Sequence, residues 1–268
     1  MKKFIYILLL LVTLSSCSEY QKALKSEDIA TKFKLGEDLY NEGKFEKANK
    51  LFAQIVPNYR GKPQAEKLMY LYSHSFYKMK DYYVAGYQFE RFASSYPKSE
   101  KAEEASFLAA KSSYMLSPVY SKDQKETSQA IEKLQEFINV YPESEYLPEA
   151  NKLIKELVYK LEKKAFEIAK QYDKISDYEA SIKSFDNFVF DFPGSTLRED
   201  ALFYKLDASF KLAINSVKYK QETRLKNAKS VAETFNKSYA DSKYKEQVND
   251  MLEKIEEQLK NYSTKANI

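Results

Sequence analysis

The amino-acid sequence predicts an all-α protein, an α-solenoid of about five helical hairpins, and three observations carry that prediction. First, a chain of 268 residues with 5 Gly, no Trp, 15% aromatic and 31% charged residues can bury a large core but has few residues for tight β-turns. Second, one helix-stop signal recurs, as Tyr96-Pro97-Lys98-Ser99, Tyr141-Pro142-Glu143-Ser144, Phe192-Pro193-Gly194-Ser195 and, more weakly, Tyr239-Ala240-Asp241-Ser242. Proline lacks the N–H and clashes with the previous helical turn, while the serine two residues on suits the cap of the next helix. Third, each stop follows the same spacing of small and bulky residues. The sets are Ala48, Phe52, Ile55, Tyr59; Ala85, Phe89, Phe92, Tyr96; Ala130, Leu134, Phe137, Tyr141; Ser181, Phe185, Phe188, Phe192; and Ala228, Ala232, Phe235, Tyr239. Apart from Ala232, a small residue is followed at plus four, seven and eleven by bulky ones, which paints a single helical face.

Taken from its beginning, the chain opens with a segment outside the solenoid. Lys2-Lys3 precede the apolar run from Phe4 to Leu11, too short to span a bilayer as a lasting helix, and small residues follow. That order is a secretory signal over residues 1–16. Leu14-Ser15-Ser16-Cys17 resembles the bacterial lipobox, in which the cysteine is acylated and becomes the mature N-terminus. Cys17 is the only cysteine, so no disulfide can form within the chain. Several acyl chains hold a protein to a bilayer durably, whereas one is marginal at about 0.8 kcal/mol per buried CH₂. Ser18 rather than Asp follows the cysteine, which by resemblance to sorted lipoproteins points to the outer membrane. The run from Ser18 to Gln21 carries one acid, too few to resemble a surface-export signal, which favours the periplasmic face. Residues 17–28 are expected to form an acylated tether, being poor in apolar residues.

The hairpins follow. In the first, Leu35-Gly36, Gly43-Lys44-Phe45 and Ala48 supply a close-packing position, a turn and a small packing residue. From Tyr59 to Tyr96 is 37 residues, from Pro97 to Pro142 is 45 and from Pro142 to Pro193 is 51. A period of about 34 residues is tetratricopeptide-like, and longer periods are the same unit with insertions. Hairpins 1–3 are expected over residues 29–142, and a long helix with hairpins 4 and 5 over 143–268. Each serine should open a first helix, as Ser99 does before Glu104-Ala105, Ser144 before Glu149-Ala150 and Ser195 before Asp200-Ala201. Two places break the pattern. Ser117 to Gln124 is an insertion in the third hairpin, with Pro118 ending its first helix; it reads equally as a plain surface loop or as a contact loop. Pro148 to Tyr172 carries no stop signal for about 25 residues, which at ~1.5 Å per residue makes a helix nearly 40 Å long, a strut between front and back halves.

The inventory argues against catalysis. His74 is the single histidine; no acid–base or nucleophile set accompanies it in sequence, no Cys or His cluster has metal-ligand spacing, and no glycine-rich phosphate loop exists. No cofactor and no metal are expected. Removing residues 1–16 takes away Lys2 and Lys3 and no acid, so the formal charge falls from +4 to +2. That is near neutral and does not suggest a nucleic-acid binder. Lys/Glu alternations such as Lys160 to Lys164 read as solvated helix faces.

Binding has better support. In such solenoids the first helix of each hairpin lines a groove, and aligning the hairpins on Ala65, Ala105 and Ala150 nominates the residues facing it. The first hairpin offers Phe33, Tyr40 and Asn41; the second Lys67, Tyr70, His74, Tyr77 and Lys78; the third Phe107 and Tyr114. An aromatic groove with a basic rim suits an extended peptide with aromatic side chains and a free carboxylate, since rings supply contact area and lysines supply charge. For each tyrosine, packing between hairpins is the competing reading.

The whole pattern resembles a known family. It comprises the lipobox, Ser18-Glu19-Tyr20-Gln21-Lys22 after the cysteine, Tyr-Pro-x-Ser with Glu-Glu-Ala or Pro-Glu-Ala, Ser117-Pro118 followed by Asp123-Gln124, and Asp191-Phe192-Pro193 with Asp200-Ala201-Leu202. These features in this order are similar to the YfiO family, the BamD-type lipoproteins of β-barrel assembly, over essentially the mature chain. The resemblance implies an outer-membrane lipoprotein that is scaffold and receptor in the insertion of β-barrel proteins. Its N-terminal hairpins would receive the aromatic-ended C-terminal peptides of unfolded barrel proteins, and its C-terminal hairpins would dock the periplasmic domains of the barrel subunit BamA. Two other classes fit a helical-repeat lipoprotein: a glycan-capturing one, against which the absence of Trp counts, and an adaptor for cell-wall enzymes.

Overall fold

The structure, a computed structural model, describes residues 19–263, so the signal segment and Cys17 lie outside the described residues. Among the described residues the chain forms helices and no strand. After a short helix over residues 19–25 they are, in order, α1 (Ile29–Asn41), α2 (Phe45–Ile55), a 3₁₀ turn (Val56–Tyr59), α3 (Ala65–Lys78), α4 (Tyr82–Ser95), α5 (Ala102–Leu116), α6 (Lys125–Val140), α7 (Leu147–Lys174), α8 (Tyr178–Asp191), α9 (Arg198–Ile214), α10 (Lys218–Ser238) and α11 (Lys245–Ser263). Consecutive pairs from α1–α2 to α9–α10 are the five expected hairpins, and α11 follows as a closing helix.

The turns inside the hairpins come from local chemistry. Gly43, Lys80 and Ser176 all have left-handed backbones, with φ of 77°, 63° and 63°. After each, the next amide reaches back to the preceding helix: Lys44 N–H to Leu39 O at 2.8 Å, Asp81 N–H to Phe76 O at 3.0 Å, and Asp177 N–H to Tyr172 O at 3.0 Å. That closure satisfies carbonyls left open at a helix C-terminus. Asp81 and Asp177 then cap the helices they open, accepting from Val84 N–H at 3.4 Å and Ala180 N–H at 3.2 Å. Asp28 caps α1 in the same way.

The stops between hairpins repeat in detail. Tyr96, Tyr141, Phe192 and Tyr239 each end a second helix and lay their rings on the phenylalanine four residues earlier, Phe92, Phe137, Phe188 and Phe235, at 5.3–5.4 Å between ring centres. The serines differ from expectation, because the next helix begins three residues after each of them. Their hydroxyls accept instead from the amide two residues on, Lys101, Tyr146, Leu197 and Tyr244, at 3.0–3.1 Å. Three also donate to a glutamate on the preceding first helix: Ser99 to Glu66, Ser195 to Glu162 and Ser242 to Glu199, at 2.6–2.7 Å. The serine pins successive hairpins together, a role that needs a partner more than thirty residues away and so leaves no local trace.

The expected core face is buried. Ala48, Ala85, Ala130, Ser181 and Ala228 are fully buried, and Phe89, Phe137 and Phe188 are 0%, 3% and 1% exposed. The small residue lets a neighbouring helix approach, and the rings fill the space beyond it. Gly36 shows how tight this is, since a Cβ there would lie 2.6 Å from Cε1 of the fully buried Phe52. Gly→Ala within a helix ordinarily stabilises by about 0.5–1 kcal/mol. Gly36→Ala should do the reverse, lowering stability by about 1–3 kcal/mol through overpacking, and a raised midpoint in urea unfolding would show that Phe52 moves aside freely.

Residues 19–25, expected within the tether, are helical, with Tyr20 and Ala23 buried in the first core beside Leu51 and Phe52. Two apolar side chains one turn apart suffice to dock a short helix, which low overall apolar content conceals. Pro118 lies just beyond the end of α5, as expected. The 28-residue α7 is also as expected, at about 42 Å for ~1.5 Å per residue.

The chain divides into two compact units, with the boundary inside α7. Unit 1 runs to Pro118 and resumes over Asp123–Leu157; unit 2 takes Val119–Lys122 and continues from Val158. Each half of α7 has its own packing. Leu153 and Leu157 join Phe107, Leu134 and Phe137 in unit 1, and Phe166 and Ala169 join Phe185, Phe188 and Ala201 in unit 2.

Candidate functional site

The site is built on α3, whose Lys67, Tyr70, His74, Tyr77 and Lys78 recur at three- and four-residue spacing and share a face. Its buried side carries Leu68 and Leu71 together with the small Ala65, Ser73 and Ser75. Ser73 and Ser75 are fully buried and donate to carbonyls of their own helix, Met69 O at 2.8 Å and Tyr72 O at 2.7 Å, and Asn49 of α2 donates to Ser75 Oγ at 2.8 Å. With Leu68 and Leu71 packed in the core and the buried polar groups satisfied, α3 is seated firmly.

The exposed side carries a shelf of half-buried rings. Tyr70 and His74 stack at 5.8 Å and 18°, His74 and Tyr77 at 6.2 Å and 29°, and Tyr40 from α1 adds a tilted ring 5.8 Å from His74. Phe89 of α4 floors the shelf, 6.3 Å from each of Tyr70, His74 and Tyr77. Tyr40 Oη and His74 Nδ1 share a hydrogen bond. Burial, and then the charge of Lys78, lower the His74 pKa to about 4, while burial pushes Tyr40 up to about 12. Burial and a hydrogen bond to Glu104 raise Tyr70 further. At neutral pH the shelf therefore holds protonated phenols and an uncharged imidazole, and brings no charge of its own.

Charge sits around it. Burial pushes Glu104 of α5 up, but hydrogen bonds from Lys101 and Tyr70 outweigh this and hold it below the usual carboxylate range. Lys101 lies 2.8 Å from Glu104 and Lys111 2.7 Å from Glu149. Tyr114 donates to Glu156 Oε2, and that bond, followed by burial, pushes its pKa up to about 12. Lys67 is paired with Glu37. Lys78 is exposed and makes no ion pair among the described residues. The rim expected to be basic is thus mostly paired, and Lys78 is its unpaired cation.

Tyr40, Tyr70, His74 and Tyr77 are brought together, with Lys78 at their edge, while Asn41 is exposed at the end of α1. Two of the expected groove residues are core instead. Phe33 is 7% exposed and stacks on Tyr59 at 5.5 Å; Phe107 is 2% exposed and stacks on Tyr146 at 4.7 Å and 11°. The physical reason is cover: both occupy the position that Tyr70 holds in its hairpin, but Tyr59 stacks over Phe33 and Tyr146 over Phe107, where Tyr70 has Lys101. Glu66, Glu162 and Glu199 hold the hairpin serines, and four residues after each comes an aromatic ring, Tyr70, Phe166 and Phe203, facing Phe92, Phe188 and Phe235 at 5.6, 5.9 and 6.5 Å. Phe107 faces Phe137 at 5.4 Å in the same way, so Ala65 corresponds to Ala102 and not to Ala105. Sequence reasoning also missed Lys101, Glu104, Lys111 and Tyr146. A signal for Tyr146 exists in the shared Ser-x-Tyr of Ser144-Glu145-Tyr146 and Ser242-Lys243-Tyr244, both of whose tyrosines stack on a phenylalanine.

A family model described as YfiO, outer membrane lipoprotein, matches residues 26–225, which takes in this site and hairpins 1 to 5 up to the first turns of α10. The chain belongs to the YfiO family. A prokaryotic membrane lipoprotein lipid attachment site matches residues 1–18, so this YfiO protein is a lipid-anchored outer-membrane protein. A protein of Aquifex aeolicus named for the outer membrane protein assembly factor BamD is 27% identical over 224 residues, covering 81% of this chain and 71% of that protein. The outer membrane protein assembly factor BamD of Helicobacter pylori is 27% identical over 103 residues, covering 38% of this chain and 47% of that one. Among solved structures, the TPR2AB-domain:pHSP90 complex of yeast Sti1 is similar with a TM-score of 0.38 and 13% identity, over 85% of this chain and 98% of that chain.

Proposed function

We propose that the protein is a scaffold and substrate-peptide receptor in the assembly of β-barrel outer-membrane proteins. It works from the periplasmic face and by binding, with no catalytic step. The observation that carries the receptor role is the shelf of Tyr40, Tyr70, His74 and Tyr77 with Lys78 at its edge. Uncharged rings held on a rigid helix offer flat apolar area at little entropic cost, and an unpaired lysine beside them offers a partner to a terminal carboxylate. The ligand of that chemistry is an extended peptide ending in an aromatic residue with a free carboxylate, which is what the C-terminus of an unfolded barrel protein supplies. Unit 2, with its C-terminal hairpins, is the part we assign to the periplasmic domains of the barrel subunit BamA. Membership of the family and the names of the relatives support this reading over a glycan-capturing lipoprotein or a cell-wall adaptor.

The test separates charge from fold. Tyr70 packs on Phe89 and Phe92, so removing its ring would unsettle the core as well as the shelf. Lys78→Glu touches no core contact. It is expected to weaken binding of a peptide ending in phenylalanine about tenfold or more, the loss of about 1.4 kcal/mol from a charge-assisted contact, without moving the melting temperature. The same peptide with an amidated end should bind both proteins alike. Equal affinity of parent and variant for the free-acid peptide would remove Lys78, and with it the carboxylate reading, from the site.

A further inference from the structure

Unit 2 carries an apolar edge that the groove does not use. The α7–α8 and α9–α10 turns lie side by side, joined by Lys211 Nζ to Asp173 at 2.8 Å and by Arg224, which bonds both Glu179 and Ser216 Oγ, the latter at 2.7 Å. Helix turns ordinarily expose Gly, Asn, Asp and Ser. Here they expose Ile175 (61%), Val217 (57%) and Tyr219 (80%), and Ile168, in the last turns of α7 and seven residues before Ile175, is also exposed. The turn of the first hairpin, Asn41 to Lys44, holds no apolar residue.

The charge of the edge is one-sided. Lys218 and Lys220 flank Tyr219, with Lys220 Nζ 5.8 Å from the ring centre, and residues 214–221 contain no acid. The nearby acids are engaged within the unit: Asp173 with Lys211, Glu179 with Arg224, Glu222 with Lys226, and Asp177 at the cap of α8.

We propose that this edge is a membrane-contacting surface that seats on anionic phospholipid headgroups. Aliphatic side chains enter the acyl boundary, a tyrosine ring sits at headgroup level, and lysines reach phosphates, which is the composition displayed here. The lipid anchor holds the chain at a bilayer, so even a weak second contact is made at high effective concentration. The apolar residues are spaced along an edge and do not line a groove, which suits a plane better than a protein ligand. The inference rests on anchorage and is independent of the peptide reading, so either can fail alone.

The experiment uses the mature chain from Ser18 onward, made without acyl chains, in co-sedimentation with vesicles of phosphatidylethanolamine and phosphatidylglycerol, and with phosphatidylcholine vesicles as the neutral control. Binding to the anionic vesicles is expected to fall with added salt. It should weaken about fivefold per lost lysine in Lys218→Glu/Lys220→Glu and comparably in Val217→Ser/Tyr219→Ser, with melting temperatures unchanged because these side chains are exposed. Absence of binding to anionic vesicles, or equal binding by parent and variants, would overturn the proposal. So would variants that bind vesicles normally yet lose an acidic protein partner, an outcome that assigns the edge to a protein interface.

Discussion

Phe137→Ala is expected to lower the stability of unit 1 by about 3–5 kcal/mol, measured as a shift in the urea unfolding midpoint. The ring is 3% exposed and lies 5.4 Å from both Phe107 and Tyr141, in a cluster with Ala130, Leu134, Ala150, Leu153 and Leu157. Those neighbours belong to α5, α6 and α7, three elements whose backbones are fixed by their own hydrogen bonds, so the cavity cannot close and the upper part of the range applies. The pair with Phe107 adds about 0.5–1.5 kcal/mol beyond buried area, so the double variant with Phe107→Ala should lose less than the sum of the single losses. Phe190→Ala is the control, since that ring is 85% exposed and its loss should stay within about 0.5 kcal/mol. Unchanged unfolding of Phe137→Ala would mean that the repeated face does not hold the hairpins together.

Cys17→Ala, exported behind a signal that is cleaved without lipidation, should move the protein from the membrane fraction to the soluble fraction after a high-salt wash, with the helical circular dichroism and melting temperature retained. Each acyl chain contributes about 0.8 kcal/mol per buried CH₂, so two or more chains hold nearly all of the protein at the bilayer, and no surface contact of a few side chains equals them. Among the described residues no helix is long and apolar enough to cross a membrane, so no other segment in that region substitutes by spanning. Retention after the wash would identify a protein partner as the anchor.

Much of the fold was legible in the sequence because its causes are local. Aromatic-Pro-x-Ser ends a helix wherever it stands, and a small residue followed at four, seven and eleven by bulky ones makes an apolar face whatever it packs against. Hence the five second helices, the end of α5 before Pro118 and the length of α7 all lie where expected. The candidate site was legible only in part. Tyr40, Tyr70, His74 and Tyr77 do meet, but Phe33 and Phe107 are core, because Tyr59 and Tyr146, distant in the chain, stack over them. The alanines used to align the first helices also sit three residues out of register, a slip that helical periodicity tolerates because positions three and four apart share a face; the contact of Phe107 with Phe137 and the bonds from Ser99, Ser195 and Ser242 to their glutamates fix the alignment.

By itself the sequence determined that this chain is lipidated, all-helical and built from repeated hairpins, because acylation, helix termination and amphipathic spacing are each specified within about a dozen neighbouring residues. Tertiary structure alone decided which rings are wall and which are core, that residues 19–25 dock by Tyr20 and Ala23, that Lys67 is neutralised by Glu37 while Lys78 is not, and that α7 serves two cores. Each of these depends on groups far apart in the chain whose distance only folding sets.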